Sequence, residues 1–169
     1  MRLGRLDAET TANLGVIEGG RATNIIPDRV VIRGETRSLS PAKLEAQTEA
    51  MRRCFLDVAA RRSVRVGGRE HRARVEVDVH HQYDRLDVPD HAGIVALVQG
   101  AAAAMGRACP TRSTGGGSDA NVFAARGIEV ANLACGMREI HTVNEWVDIR
   151  DLVLTAELVV ETVRLNAVV

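Results

Sequence analysis

The chain has 169 residues, 46% apolar and 26% charged, with 22 basic and 22 acidic side chains and a formal charge of +0. That length suits one or two small soluble domains with a real core. Acids and bases are interspersed, so there is no basic stripe for a phosphate backbone, and nucleic acid is not an expected partner. Almost all the positive charge is arginine, and Lys43 is the only lysine.

The first fifteen residues hold no apolar run of the signal-peptide kind, and the longest apolar stretch, Ala92–Gly106, is broken by Gln99 and Gly100. A soluble, cytoplasmic chain with no membrane partner is expected. Cys54, Cys109 and Cys135 are odd in number and widely spaced, and read as reduced, buried small hydrophobes.

From Asn13 to Ile32 the sequence reads strand, turn, strand, with Pro27 in the turn because it lacks a ladder donor. A helix follows from Pro41, capped by Ser40, with Leu44, Thr48, Met51, Phe55 and Val58 on one stripe. Arg74–Tyr83 alternates apolar and polar residues and predicts a half-buried strand. Residues 1–86 therefore read as strand–strand–helix–strand, a sheet covered by a helix on one face.

Beyond the polar link around Leu86 the pattern changes. A helix is predicted across His91–Ala108 with Ile94, Leu97, Val98, Ala101 and Met105 on one side. Short strands are expected at Cys109–Ser113 and Ile128–Ala134, with a short helix between them capped by Ser118 and ended before Gly127. A C-terminal helix starts at the cap Asp148 and turns Leu152, Thr155, Leu158 or Val159, and Val163 inward. The fold class is α/β in two halves, 1–86 and 87–169.

Few residues suggest chemistry. Gly115–Gly116–Gly117–Ser118–Asp119 opens a helix, where converging amides suit an anion; it lacks the P-loop lysine and the dinucleotide spacing, and a tight turn with an ordinary cap explains it equally. His141 follows a strand, where such layers place ligands, although a lone loop histidine more often bonds a neighbouring carbonyl. One histidine makes no zinc site, and His71, His80, His81 and His91 read as surface or core fillers. Asn24 lies in the turn before Pro27, and Arg37, at a strand end, has the planar fork that suits a carboxylate. Ser118, Asp119 and His141 do not form a hydrolase triad motif, because the sequence lacks the G-x-S-x-G elbow.

Together these signals carry a resemblance. Gly15–Ser38, with Gly-Gly-x-x-x-Asn-x-x-Pro and an arginine ten residues after the proline, resembles the lid, or dimerisation, domain of M20-family metallopeptidases. Gly115–Glu145, with "GGGSDAN" and "HTVNEWV", is similar to the family's C-terminal catalytic segment, closest to the peptidase T-like branch. The resemblance implies an α+β lid half, residues 1–86, and a partial three-layer zinc-peptidase segment, residues 87–169. It implies that His141 is the last zinc ligand of a two-zinc site and that Gly116, Gly117, Ser118 and Asp119 line the substrate pocket. Asn24 and Arg37 would approach a small peptide substrate, the arginine at its carboxylate end.

Family enzymes hydrolyse peptides and related amides with a zinc-bridged water and a glutamate base, and many dimerise through the lid. The His-x-Asp motif, the bridging Asp, the Glu-Glu pair and a further acid expected of the family are not found before residue 13. Four of the five protein metal ligands and the general base are thus missing, and no catalytic residue is assigned. The expectation is a C-terminal portion of such an enzyme, inactive alone and prone to self-association; the alternative is an interaction module that pairs with itself or with a separate N-terminal half.

Overall fold

The computed structural model describes residues 1–167, so the last two residues of the predicted C-terminal helix lie outside the described residues. The fold is mixed α/β and divides into two compact units, Met1–His81 and Gln82 onward.

The first unit is built on an antiparallel sheet of β1 (Gly4–Arg5), β2 (Thr10–Gly19) and β3 (Val30–Ser38), in that order. The β2–β3 register runs from Thr10 opposite Ser38 to Gly19 opposite Val30, with a bulge between Leu14 and Val16. Side chains reinforce the ladder at its Thr10 end. Thr10 Oγ1 and Ser38 Oγ lie 3.0 Å apart, and Thr36 Oγ1 donates to Thr11 O at 3.1 Å.

Helix α1 (Pro41–Ala60) begins as the sequence predicts, with Pro41 in its first turn and Lys43 N donating to Ser40 Oγ. It packs on β3 and β2. Gly34 permits that approach, since a Cβ there would lie 2.6 Å from Asn13 O and 3.5 Å from Met51 Cε. Leu44, Thr48, Met51 and Phe55 are half-buried as their spacing predicts, whereas Val58 is exposed and Ala59 takes the buried place. The only lysine ties this helix to the sheet's first turn: Lys43 Nζ lies 2.5 Å from Glu9 Oε1 and 3.2 Å from Asp7 Oδ2.

After α1 the chain departs from expectation. The strands are β4 (Ser63–Val66) and β5 (Arg69–Arg72), a hairpin turned by Gly67 and Gly68 at φ +56° and +78°. Arg74–Tyr83 forms no ladder among the described residues, and Val79 is 59% exposed. Alternation records which residues face a sheet, but a strand also needs a neighbouring edge to accept its hydrogen bonds. No described element supplies that edge.

The second unit holds α2 (Gly93–Ala104), α3 (Asp119–Ala124) and α4 (Ile149–Asn166), with α2 packed on α4. Small residues bring these helices together: Ala101 is 0% exposed, and a Cβ on Gly100 would lie 3.3 Å from Leu165 Cδ2. On α2 the buried stripe is Val95, Val98, Ala101 and Ala102, so Ile94, Leu97 and Met105 are only half-buried. On α4 Leu154, Thr155, Leu158 and Leu165 are half-buried, while Leu152, Val159 and Val163 are exposed, which corrects the predicted inner face.

Cys109–Ser113 and Ile128–Ala134 form no strands among the described residues. Side-chain bonds attach these regions to their surroundings instead: Gln99 Nε2 donates to Cys109 O, Thr111 Oγ1 to Asp90 Oδ1, and Thr155 Oγ1 to Ala134 O. Ile94 N likewise donates to Glu129 Oε1 at 2.7 Å. The three cysteines are free, as predicted, but half-buried rather than buried. No described helix is long and apolar enough to cross a membrane.

Candidate functional site

The glycine turn owes its position to Tyr83. A Cβ on Gly117 would collide with the Tyr83 ring and hydroxyl, so only glycine lets the turn lie against the ring. Gly115 has open space where a side chain would be, and Gly116 has only Thr114 Oγ1 at 4.0 Å. The first two glycines therefore answer to no packing demand within the described residues, and the turn before α3 is exposed throughout.

Ser118 and Asn121 hold the start of α3. Ser118 N donates to Asn121 Oδ1 at 2.9 Å, one half of a capping box, and Asn132 Nδ2 donates to Ser118 Oγ at 2.7 Å. Asn121 is 6% exposed and spends its amide on Asp84 O at 2.9 Å, so a buried polar group is fully engaged. Asp119 is exposed in the first turn of α3, where a carboxylate complements the helix dipole. Tyr83, Asn121 and Asn132 carry this turn, and sequence reasoning passed over all three. The asparagine in "SDAN" was the available signal, three residues after the cap.

His141 sits in a second loop, closed at its base by a bridge between Arg138 and Trp146. Arg138 N donates to Trp146 O at 2.9 Å, and Trp146 N returns the bond to Arg138 O at 3.2 Å. The Arg138 guanidinium lies 4.5 Å from the Trp146 ring centroid and reaches Asp151 Oδ2 on α4 at 3.4 Å. Within the loop Thr142 Oγ1 donates to Glu139 O at 2.7 Å and receives Asn144 N at 3.1 Å.

Glu139 and His141 have φ of +51° and +68°, the only non-glycine residues with positive φ among those described. Such conformations cost about 1–3 kcal/mol each and persist where neighbours enforce them. His141 N donates to Glu145 Oε2 at 2.8 Å. His141 is exposed, so its ring is not turned inward among aliphatic side chains. Just beyond the loop, the Arg150 guanidinium and amide hold the Asp148 carboxyl below the usual range as it caps α4.

Asn24 and Arg37 belong to the first unit. Asn24 is exposed in a turn closed by Ile25 N donating to Ala22 O at 3.2 Å. Arg37 lies on β3 with its guanidinium 2.7 Å from Glu35 Oε2. The other predicted residues, Gly116, Gly117, Ser118, Asp119 and His141, belong to the second unit, in two loops each held by its own partners. An open cleft of about 350 Å³ beside the C-terminal end of α2 is lined by Cys109, Cys135, Arg138 and Asp151, and by none of the predicted site residues.

Zinc in proteins takes three or four donors. Among the described residues no group of three or more His, Cys, Asp or Glu side chains is arranged to hold a metal ion. The residues in hand do not fit a zinc site by themselves, since His141 is a single imidazole.

Residues 4–165 match the profile of peptidase family M20/M25/M40. The chain belongs to that family. It is 47% identical over 160 residues to the uncharacterized protein YqjE of Bacillus subtilis strain 168, covering 95% of this chain and 41% of that protein. Among solved structures it is similar to aminopeptidase PepT from Bacillus cereus ATCC 10987, at 42% identity and a TM-score of 0.72, covering 99% of this chain and 42% of that one. It is similar also to a tripeptidase from Staphylococcus aureus subsp. aureus Mu50, at 35% identity and a TM-score of 0.76, covering 96% and 41%. This member of the M20 family thus spans about two fifths of the length of the relatives it matches. The structural relatives are a PepT aminopeptidase and a tripeptidase, and the resemblance drawn from the glycine turn and the histidine loop agrees with the peptidase T-like branch as well as the family.

Proposed function

We propose that this chain is the C-terminal portion of a zinc-dependent, cytoplasmic M20 peptidase acting on small peptides, tripeptides foremost, and that it does not hydrolyse them alone. Residues 1–86 would be the second half of the lid and 87–169 the end of the catalytic domain. The observation that carries the reading is His141: an exposed histidine in a left-handed backbone, inside the family match, at the residue to which the resemblance gives the role of last zinc ligand. A filler histidine has no need of a strained, braced loop.

In this reading His141 contributes one imidazole, and the other metal donors and the glutamate base come from the part of the relatives outside the match. The turn at Gly116 and Gly117, with Ser118 and Asp119, lines the pocket, and the open faces of Gly115 and Gly116 leave room for a substrate backbone. Asn24 approaches the peptide. Arg37 binds the peptide carboxylate, which would compete with Glu35 for the guanidinium fork.

The test is complementation. This chain is co-expressed with the part of the B. subtilis relative that lies outside the match, and tripeptide hydrolysis is assayed with zinc. Activity of the pair, absent from either part and lost with His141→Ala, is expected. A pair that assembles with zinc bound yet cleaves no peptide would overturn the reading, as would hydrolysis by the 169 residues alone.

A second reading, an interaction module without hydrolase activity that pairs with itself or with a separate N-terminal half, is favoured by one observation. Helix α4 leaves Ile149, Val160 and Val163 at 76%, 66% and 64% exposure. Exposed apolar faces of that extent mark association surfaces. Inactive but stable assembly with that part of the relative would support this reading over the first.

A further inference from the structure

Glu145 has no role in the proposed site, yet its side chain hydrogen-bonds His141 directly. Its Oε2 accepts the His141 amide at 2.8 Å, closing a ring over four residues inside the loop. The amide so held belongs to a residue at φ +68°, a region that L side chains avoid. Glu145 is placed in turn by its own amide, which donates to Thr142 O at 3.2 Å, and by its neighbour Trp146, bridged to Arg138 and overlain by its guanidinium. Arg138 then reaches Asp151 on α4. An unbroken series of contacts therefore runs from a helix to the backbone of the histidine.

We infer that Glu145 is the positioning residue of His141: its carboxylate fixes the left-handed backbone at 141, and through it the direction of the imidazole. Backbone φ and ψ decide which χ1 rotamers a side chain can adopt, so a backbone held in this region restricts the ring to few directions. A carboxylate accepting a backbone amide makes a stronger bond than a neutral acceptor, which suits it to hold a strained residue. The inference rests on the reading of His141 as a functional residue, but the geometry it describes can be measured without metal or substrate.

The test is nuclear magnetic resonance on the isotopically labelled 169-residue chain, with Glu145→Ala and Glu145→Gln. In the wild type the His141 amide should exchange about tenfold or more slowly than an unprotected amide, as a charge-assisted bond requires. Its Hα–Hβ couplings should report one rotamer. Glu145→Ala should lose the protection and average the couplings. Glu145→Gln, whose side-chain oxygen accepts the same bond more weakly, should restore one rotamer with protection between that of the wild type and that of Glu145→Ala.

An unprotected wild-type amide, a single rotamer that persists in Glu145→Ala, or a glutamine variant as averaged as the alanine one would overturn the inference. A coupling across the hydrogen bond between His141 nitrogen and the Glu145 carboxyl carbon decides the case in the wild type even if the alanine variant does not fold. Failure of His141 as a metal ligand would leave all of these readings unchanged, so the two proposals fail separately.

Discussion

Gly136 and Asp151 occupy space that only a glycine leaves free. A Cβ at 136 would stand 2.5 Å from Asp151 Cβ, and Gly136 also has φ +81°. Asp151 is the group that receives Arg138 at the base of the histidine loop. Gly136→Ala should therefore cost about 1–3 kcal/mol, from the left-handed backbone together with the collision. Urea unfolding measures it, and Gly115→Ala, with open space around it, is the matched control expected within about 0.5 kcal/mol of wild type.

Gly117 and Tyr83 make a similar pair with a different remedy. Gly117→Ala meets the Tyr83 ring and should destabilise the second unit by about 1–3 kcal/mol. Removing the ring should remove the collision, so in a double-mutant cycle the cost of Gly117→Ala should fall below about 1 kcal/mol in a Tyr83→Ala background. Additive costs would show that the ring does not set the turn.

Two carboxylates in the first unit make its stability depend on acid. The Asp7 carboxyl is lowered from 3.8 to about 2, chiefly by the Glu9 amide and then by Lys43 and Thr10. Glu49 is lowered from 4.5 to about 2 by Arg52 and then Arg53. Both folded values lie below the ordinary ones, so the contributions are whole above those ordinary values and are lost as pH falls through them toward about 2. Thermal melts should fall between about pH 5 and pH 2, and the fall should be shallower in Asp7→Asn with Glu49→Gln. Asp7 is exposed and Glu49 only half-buried, so high salt should shrink the difference between the variants.

Legibility in the sequence followed how local each feature's cause is. Ser40, Ser118 and Asp148 were readable as caps because a cap is decided within three residues. The β2–β3 hairpin and α1 were readable because their partners follow directly in the chain. The expected strands at Arg74–Tyr83, Cys109–Ser113 and Ile128–Ala134 have the right composition but need partners the described residues do not offer. The Gly67–Gly68 turn between "SVRV" and "REHR" was a local hairpin signal that the stronger alternation after it masked. His141 and the glycine turn stood out by residue type, whereas Glu145 and Tyr83 act through three-dimensional contacts that spacing does not reveal.

The outer face of α4 gives the last prediction. Ile149, Val153, Ala156, Val160 and Val163 fall at alternating steps of four and three, the spacing of a two-helix seam. Their stripe lies opposite Leu154, Leu158 and Leu165, three of the half-buried residues on the side facing α2. In the isolated chain a second copy can cover this face by pairing α4 with α4, and the flanking Glu157, Glu161 and Arg164 leave both charge signs available at its rim. Sedimentation at rising concentration should show association. Val160→Glu with Val163→Glu should shift the chain toward monomer without unfolding it, because neither side chain is buried against α2. A wild-type chain that stays monomeric at every concentration would exclude the α4 seam, and association that survives both substitutions would place it elsewhere.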